Sequence, residues 1–255
     1  MLYLFSISMF LVIVTLNFGS SAAISKVSTL RAEPLDGGTI KGIVKFPGDY
    51  PETEKITITK NQAVCGAFQY SESFVVSEDN HGLKNVVITL VGVKGKLPAK
   101  KSTPFTLEQT KCRYVPHVQA VPVGSLLEIK NDDGILHNVH VYLAGDLYAD
   151  QLTPKATIFN KAQPKFRKKI KQKLDKPGMY FYRCDVHSHM SAFIAVMDQP
   201  YYDVTNDSGE FTIANVPPGT YKIQAWHEVL GKLEKDVVVE SGKTAEVVFD
   251  ILPNE

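Results

Sequence analysis

Short runs of β-branched and aromatic residues alternate with polar positions along most of the chain. The clearest runs are residues 39–46, 55–59, 86–90, 126–129 and 139–143. Clusters of Gly, Pro, Asn and Asp separate them, for example at 46–49, 131–134, 176–178 and 216–219. Runs of this length and composition, bounded by turn residues, are typical of strands. The pattern predicts an all-β protein built as sandwiches or barrels, and no internal repeat of useful length appears.

Residues 1–23 differ from the rest of the chain. Positions 2–18 carry no charge, and small residues follow at 19–23. This is the pattern of a secretory signal with a cleavage site after Ala22 or Ala23. The positively charged n-region that usually begins a signal peptide is missing, since the first basic residue is Lys26. An uncleaved membrane anchor is therefore the alternative. We therefore expect a periplasmic or extracellular protein, which contacts a membrane only if this segment is retained.

The length and net charge of the chain limit how many domains it can form and which classes of partner it can bind. The chain has 255 residues, 44% of them hydrophobic, which is enough for one large or two modest domains with real cores. The formal net charge is +1 at pH 7. Nucleic-acid-binding domains usually have a strong basic excess, so we expect no nucleic-acid partner.

Basic residues alternate along the segment 165–174. Five of them fall on one face of a strand, namely Lys165, Arg167, Lys169, Lys171 and Lys173. Phe166, Ile170 and Leu174 would also fit one stripe of a helix, so the strand assignment has an alternative. The basic face is either a solvated face that protects a sheet edge from aggregation or a docking patch for an acidic partner.

Three cysteines, Cys65, Cys112 and Cys184, lie in a chain that we expect to be exported. In an oxidising compartment two cysteines tend to pair, and the third then needs another role. Spacing does not determine the connectivity. Because only Cys184 lies among residue types that bind metals, Cys65–Cys112 is the most economical bridge, and three reduced buried thiols are the alternative.

The strongest chemical signal is the segment 180–190, in which a strand-like run ends at Cys184 and another begins near Ala192. The connecting loop presents the Cys184 thiol, the His187 imidazole and the Met190 thioether. Two soft sulfur ligands and an imidazole suit copper, with the thioether as a weak axial ligand. Zinc sites more often use four Cys or His ligands without a thioether.

A second imidazole is required, and the upstream candidates are His117, His137 and His140. Successive side chains of a strand point to opposite faces. His137 shares its face with Ile135, Val139, Val141 and Leu143, all apolar, whereas His140 lies on the opposite face. A ligand held at one end of a sandwich core should point inward, so the pattern favours His137.

These residues resemble the cupredoxins, the blue copper family of plastocyanin and amicyanin. Residues 131–139 look like the plastocyanin-type segment in which Asn follows the first copper histidine, and the Cys-x2-His-x2-Met spacing is closer to that of amicyanin. The resemblance covers residues 101–198. It implies a Greek-key β-sandwich that holds one type 1 copper ion, and an Asn138 side chain that ties the ligand loop to its neighbour. The implied ligands are His137, Cys184 and His187, with Met190 axial; His189 offers a competing imidazole.

The flanking segments resemble a different family. Residues 204–213 and 216–223 are similar to the carboxypeptidase regulatory-like domain, a small transthyretin-like β-sandwich, and residues 38–44 and 83–90 look like its first strands. Residues 199–255 alone are too few for a comfortable independent sandwich. We therefore expect residues 24–100 and 199–255 to form one smaller β-sandwich into which the cupredoxin domain is inserted.

The cupredoxin resemblance implies a carrier of single electrons, with an exported cytochrome or quinoprotein dehydrogenase as partner near His187. Copper storage or delivery without redox turnover is the alternative, because it uses the same ligands. A structural β-module with a decayed copper loop is a third class, which the presence of all four ligands disfavours. We expect no enzymatic activity, since no second His-x-His cluster is available for a further copper centre.

Overall fold

The computed structural model of the chain describes residues 36–49, 52–97, 103–147 and 156–252. These ranges belong to one unit, Leu35–Glu255. The predicted signal at residues 1–23 lies outside them and stays a prediction. Within the described ranges, no helix combines the length and the apolar character that crossing a membrane requires.

Strands make up almost all of the regular structure, as the alternating pattern predicts. The first nine are β1 (Gly38–Lys45), β2 (Lys55–Thr57), β3 (Phe68–Tyr70), β4 (Val87–Leu90), β5 (Phe105–Thr110), β6 (Arg113–Val115), β7 (Val118–Pro122), β8 (Ser125–Asn131) and β9 (His137–Gly145). The others are β10 (Ala156–Gln163), β11 (Lys169–Leu174), β12 (Gly178–Arg183), β13 (Ser191–Met197), β14 (Tyr202–Val204), β15 (Glu210–Val216), β16 (Gly219–His227), β17 (Gly231–Val239) and β18 (Thr244–Asp250). The single turn of helix α1 spans Gln62–Cys65. The predicted all-β class is confirmed.

Two sheets form what we call the inner sandwich. Their strand orders are β10-β9-β12-β13-β7 and β11-β8-β5-β6. Alternate residues of both sheets fill one shared core, among them Leu107, Leu127, Ile129, Val139, Val141, Tyr182 and Ile194. His137 begins β9 on the same face as Val139 and Val141, so its side chain is completely buried, whereas Leu136 is 47% exposed.

Two further sheets form the outer sandwich, with strand orders β15-β1-β18 and β14-β4-β16-β17. Their core combines residues from before and after the inner sandwich, including Ile40, Val44, Ile88, Phe211, Ile223 and Phe249. In particular, β1 pairs in parallel with β18 near the other end of the chain. Residues from two separate segments therefore form this second sandwich, and the predicted domain boundaries stay a prediction.

One sheet of each sandwich contributes to a third apolar cluster. Val118, Met179 and Ala195 of the inner sandwich lie there with Val87 and Trp226 of the outer one. The Trp226 ring is 5.3 Å from that of Phe193, measured between centroids. Because the β4 sheet contacts apolar residues on both faces, all four residues of β4 are buried. This two-sided burial explains why residues 86–90 are apolar at every position except Thr89 rather than alternating.

The segment 55–70 does not lie with the rest of the region assigned to the second sandwich. Its residues Ile56, Ile58, Val64 and Cys65 pack in the inner core. The physical reason is a long-range covalent link, since Cys65 forms a disulfide with Cys112, 47 positions further along the chain, in the hairpin of β5 and β6. The predicted Cys65–Cys112 bridge is thus confirmed, and Cys184 is the free, buried cysteine among the described residues.

The basic segment contains the strand β11 rather than a helix, but the strand begins at Lys169, so Lys165 and Arg167 precede it and the predicted five-residue basic face is reduced to three residues. Lys169, Lys171 and Lys173 are exposed, and the residues between and after them are buried. Strand β11 lies at the edge of its sheet. Glu128 on the neighbouring strand pairs with Lys169 at 3.3 Å and with Lys171 at 3.5 Å. Edge position and partial neutralisation favour the solvated protective face over a docking patch.

His117 and Glu228 form a buried ion pair between β7 and the β16–β17 connection, with side chains 4% and 12% exposed. Burial lowers the pKa of His117, but the hydrogen bond and the charge of Glu228 outweigh it, so the pKa is raised. A raised folded pKa stabilises the protein fully below the unfolded value near 6.5, and the contribution is lost as pH rises through the folded pKa.

We therefore expect the difference in free energy of unfolding between the wild type and His117→Gln to shrink from about pH 6 to about pH 9. Urea denaturation of both proteins across this range measures it. His227, whose pKa burial lowers to about 4, adds a slope of the opposite sign up to about pH 7.5, but it is present in both proteins and its contribution largely cancels in the difference. A difference that is constant or grows with pH would show that the pair is not charged in the folded protein.

Candidate metal centre

The loop between β12 and β13 presents three of the four predicted ligands. Cys184 directly follows β12, and Ser191 opens β13. The loop closes on itself, because the Cys184 amide donates to the Met190 carbonyl at 3.2 Å and the Met190 amide donates to the His187 carbonyl at 3.0 Å. The short loop thus fixes its three ligand residues relative to one another. His137 reaches the same place from the start of β9, whose register with β12 pairs His140 with Arg183.

All four predicted ligands are buried. His137 and Cys184 are 0% exposed, Met190 1% and His187 3%. Three of them, His137, Cys184 and His187, form a group whose ligand atoms lie within 4.8 Å of one another. The Met190 side chain lies among the buried residues of the inner core. The structure therefore brings His137, Cys184 and His187 together, with Met190 buried in the same core, and the role of all four as ligands stays a prediction.

The distances within the group fit one metal ion. The two Nδ1 atoms of His137 and His187 are 3.1 Å apart, and each is 3.9 Å from Cys184 Sγ. A point in the plane of these atoms can lie about 2.0 Å from each nitrogen and about 2.3 Å from the sulfur, which are ordinary metal–ligand lengths. Two imidazole nitrogens and one sulfur at these lengths from a single point are the donor types of a His2Cys metal site.

The outer nitrogen of each imidazole is held by an acceptor. His137 Nε2 donates to Asp133 Oδ2 at 2.8 Å, and His187 Nε2 donates to Asn61 Oδ1 at 2.9 Å. With the proton on Nε2, each Nδ1 presents a lone pair. Two Nδ1 lone pairs that face each other at 3.1 Å beside a sulfur repel, and either a proton on His137 Nδ1 or a cation between the rings relieves that repulsion. This donor set is therefore compatible with a bound metal ion.

The electrostatics of the group favour ligation. Burial raises the pKa of Cys184, but hydrogen bonds from His137 and from the amides of Asn138, His187 and Val186 outweigh it, so the pKa is lowered. The Asn138 and His187 amides lie 3.3 and 3.4 Å from Sγ. A lowered thiol pKa increases the fraction of thiolate, the form that binds metals.

The two imidazoles are shifted in opposite directions. Burial lowers the pKa of His137, but Asp133 and Cys184 together raise it above its ordinary value. Burial, reinforced by His137, lowers the pKa of His187 to about 4. His187 is thus neutral at neutral pH and its Nδ1 lone pair is free for a metal. Burial raises the pKa of Asp133, yet His137 and the Cys112 and Lys111 amides lower it overall, so this carboxylate stays charged.

The other histidine candidates have different partners. His189 Nε2 donates to the Cys112 carbonyl at 3.1 Å. His140 Nδ1 lies 3.0 Å from Asp185 Oδ2, and its ring stacks on Tyr142 with a centroid distance of 4.1 Å. His117 is engaged by Glu228. Strand parity thus separates His137 from His140 as expected, and His189 points to a backbone carbonyl.

Asn138 ties the ligand loop to β9, as the cupredoxin resemblance implies. Its side-chain Oδ1 accepts a hydrogen bond from the Asp185 backbone amide at 3.2 Å, and the Asn138 backbone amide donates to Cys184 Sγ. Tyr114, which is completely buried, donates its hydroxyl proton to the Asn138 carbonyl at 2.8 Å. Asn138 is therefore held by the ligand loop through Cys184 and Asp185 and by β6 through Tyr114.

Sequence reasoning missed Asp133 and Asn61, the acceptors behind the two imidazoles. Asp133 had a weak signal, because it lies four residues before His137 in a turn rich in Asp. Asn61 had none, since it is 126 positions from His187. Two further groups, Cys65–Cys112–His187 and Cys112–Asp133–His137, are also close enough to hold an ion. Their cysteines are in the disulfide and offer no thiolate.

Comparisons with known proteins give partial likenesses. Residues 188–247 match the family described as polysaccharide lyase family 4, domain II. This match does not confirm the carboxypeptidase regulatory-like resemblance, which stays a prediction. No curated protein matches the chain.

Solved structures that resemble part of the chain include copper proteins. A reduced Cu(I) form of an amicyanin mutant at pH 4 is 20% identical, with a TM-score of 0.31, over 43% of this chain and 98% of that one. A second reduced amicyanin mutant is 22% identical, with the same TM-score and coverage. A copper-containing nitrite reductase from Thermus scotoductus SA-01 is 24% identical, with a TM-score of 0.29, over 42% of this chain and 25% of that one. The metal assignment here rests on the donor atoms of this chain and not on these likenesses.

Proposed function

We propose that the chain binds one type 1 copper ion and carries single electrons between exported redox proteins. His137 and His187 would hold the ion through Nδ1 and Cys184 through its thiolate, with Met190 as the weak axial ligand. The observation that carries the proposal is that the distances among the two nitrogens and the sulfur leave one point at metal-bonding length from all three atoms. Copper bound there supplies a Cu(I)/Cu(II) couple.

The residues around the site limit structural change between the two oxidation states. Asp133 and Asn61 hold the outer nitrogens, and the Asn138 and His187 amides hold the sulfur. Burial of all four ligands excludes water from the site. A site whose ligands are fixed from outside has little freedom to rearrange when an electron arrives, which favours fast transfer. Partners would be exported proteins such as a cytochrome or a quinoprotein dehydrogenase.

Copper storage or delivery is the second candidate, because Asn61 covers the His187 edge that a redox partner would otherwise contact. Voltammetry and a competition assay with a Cu(I) chelator separate the two functions. A reversible one-electron wave with slow copper loss supports electron transfer. A protein that shows no reversible wave and releases Cu(I) readily to the chelator supports copper handling.

The axial role of Met190 predicts a shift in reduction potential. In Met190→Leu we expect a blue site with a higher potential, because loss of the weak thioether donor destabilises the oxidised form more than the reduced form. Met179→Leu is the matched control, since Met179 is equally buried but lies in the apolar cluster between the sandwiches. Voltammetry of both variants tests this expectation. Equal reduction potentials in the two variants would show that Met190 is not a ligand of the copper.

A further inference from the structure

A segment from outside the ligand loop covers the His187 side of the centre. We call it the cap, residues 55–70, which comprises β2, α1 and β3. Asn61 lies at the turn before α1 and places its Oδ1 2.9 Å from His187 Nε2. Beneath this contact His187 is only 3% exposed. A partner that approaches the His187 imidazole therefore meets the cap first.

The backbone holds Asn61 in a conformation that few residues adopt. Its φ is 52°, in the left-handed region where Asn, Asp and Gly are favoured. The Asn61 carbonyl accepts hydrogen bonds from the Val64 and Cys65 amides, each at 2.9 Å. Its side chain makes no capping bond to the helix that follows, so the amide group is free to bind His187.

The disulfide links this turn to the acceptor behind the other imidazole. Cys65, at the end of α1, is bonded to Cys112. The Cys112 amide donates to Asp133 Oδ2 at 2.8 Å, and the same oxygen accepts from His137 Nε2. Gln69 adds a second tie, because its Nε2 donates to the Cys65 carbonyl and to the Lys111 carbonyl. One covalently closed structure thus holds the outer nitrogens of both imidazoles.

We propose that Asn61 is a positioning residue for His187, held in place by the Cys65–Cys112 disulfide. It keeps the proton on Nε2, so that Nδ1 points to the metal, and it closes the imidazole edge to solvent and to partners. This inference rests on the proposed copper site only for its consequence for metal retention. The contact itself belongs to the protein with or without metal.

The direct test is NMR of the metal-free full-length chain with 15N-labelled histidine. We expect His187 to be the Nε2–H tautomer and its ring N–H to exchange slowly with solvent. In Asn61→Gly, which suits the backbone but lacks the acceptor, exchange should be at least ~10-fold faster. Asn61→Asp, which keeps an oxygen acceptor, should restore protection. An unprotected N–H in the wild type, or full protection in Asn61→Gly, would overturn the proposal.

The role of the Cys65–Cys112 disulfide is tested with the double variant Cys65→Ala/Cys112→Ala. The wild type after disulfide reduction serves as the second sample in case the variant does not fold. Both should show faster His187 N–H exchange. Gln62→Ala is the control, because Gln62 bonds the Ile58 carbonyl and not His187. Unchanged protection in the reduced wild type would refute the role of the disulfide.

Copper retention provides the independent readout. In Asn61→Gly we expect copper transfer to a chelator to be about 10–100-fold faster than in the wild type, the usual effect of losing an outer partner of a metal ligand. Equal transfer rates would overturn this part of the proposal. If the wild type binds no copper, the proposed function fails, whereas the NMR comparison still decides the Asn61 contact.

Discussion

Replacing Cys184 with alanine should abolish the visible thiolate-to-copper band of the Cu(II)-loaded protein. Cys184 supplies the thiolate among the predicted ligands, and the two imidazoles that remain cannot produce a blue site. Absorption spectra of the wild type and the variant at equal copper loading make the comparison. A band that persists in Cys184→Ala would place the copper elsewhere, and no band in either protein would refute type 1 copper.

Two controls make this comparison specific. The variant should keep the Cys65–Cys112 disulfide, which thiol titration before and after reduction measures. His140→Ala should retain the band, because His140 bonds Asp185 outside the donor group. His137→Ala, by contrast, should lose it. Since His137 and His140 are on the same strand and differ in face, this pair isolates ligation from general damage to β9.

The second large effect concerns the outer sandwich, in which Phe249 is completely buried on β18. Phe249→Ala should reduce the free energy of unfolding by about 3–5 kcal/mol, the usual loss for a buried aromatic side chain. Val248→Ala is the control on the same strand, because Val248 is 47% exposed and should cost less than about 1 kcal/mol. Urea denaturation measures both.

This comparison also tests whether the outer sandwich, which β1 and β18 build together, unfolds in one transition with the inner sandwich. Strand β18 pairs with β1 over the register Thr39–Thr244 to Lys45–Asp250, so Phe249 stabilises a sheet built from two distant segments. If the two sandwiches unfold together, Phe249→Ala should shift the whole transition to lower urea. A separate early transition would show that the outer sandwich unfolds independently of the inner one. Equal effects of Phe249→Ala and Val248→Ala would contradict the packing described for β18.

Much of the centre was predictable because its information is local. The spacing of Cys184, His187 and Met190 determines a loop that can present all three side chains to one place. The two-residue period of a strand decides between His137 and His140 without any knowledge of the fold. The count of three cysteines leaves Cys184 as a free thiol, available to a metal, once Cys65 and Cys112 pair. Each of these inferences needs only neighbouring residues or simple counting.

The cap was not predictable for the opposite reason. Residues 55–59 read as an ordinary strand, and nothing in their pattern indicates which of two cores they join. Their place depends on the disulfide and on the contacts of Gln69 with the hairpin of β5 and β6. Asn61 is one polar residue in a turn, and turn residues are common in every β-protein.

From the sequence alone came the all-β class and the face of β9 that points inward, which the structure confirms, and the four predicted ligand residues, three of which the structure places together. These follow from periodicity, residue chemistry and short spacings. Only the tertiary structure decided that residues 55–70 join the inner core, that Asp133 and Asn61 hold the imidazoles, and that the cap closes over His187. The Asn61–His187 contact and the Cys65–Cys112 bridge join residues far apart in the chain, and their geometry is set by how the sheets pack, which no local pattern encodes.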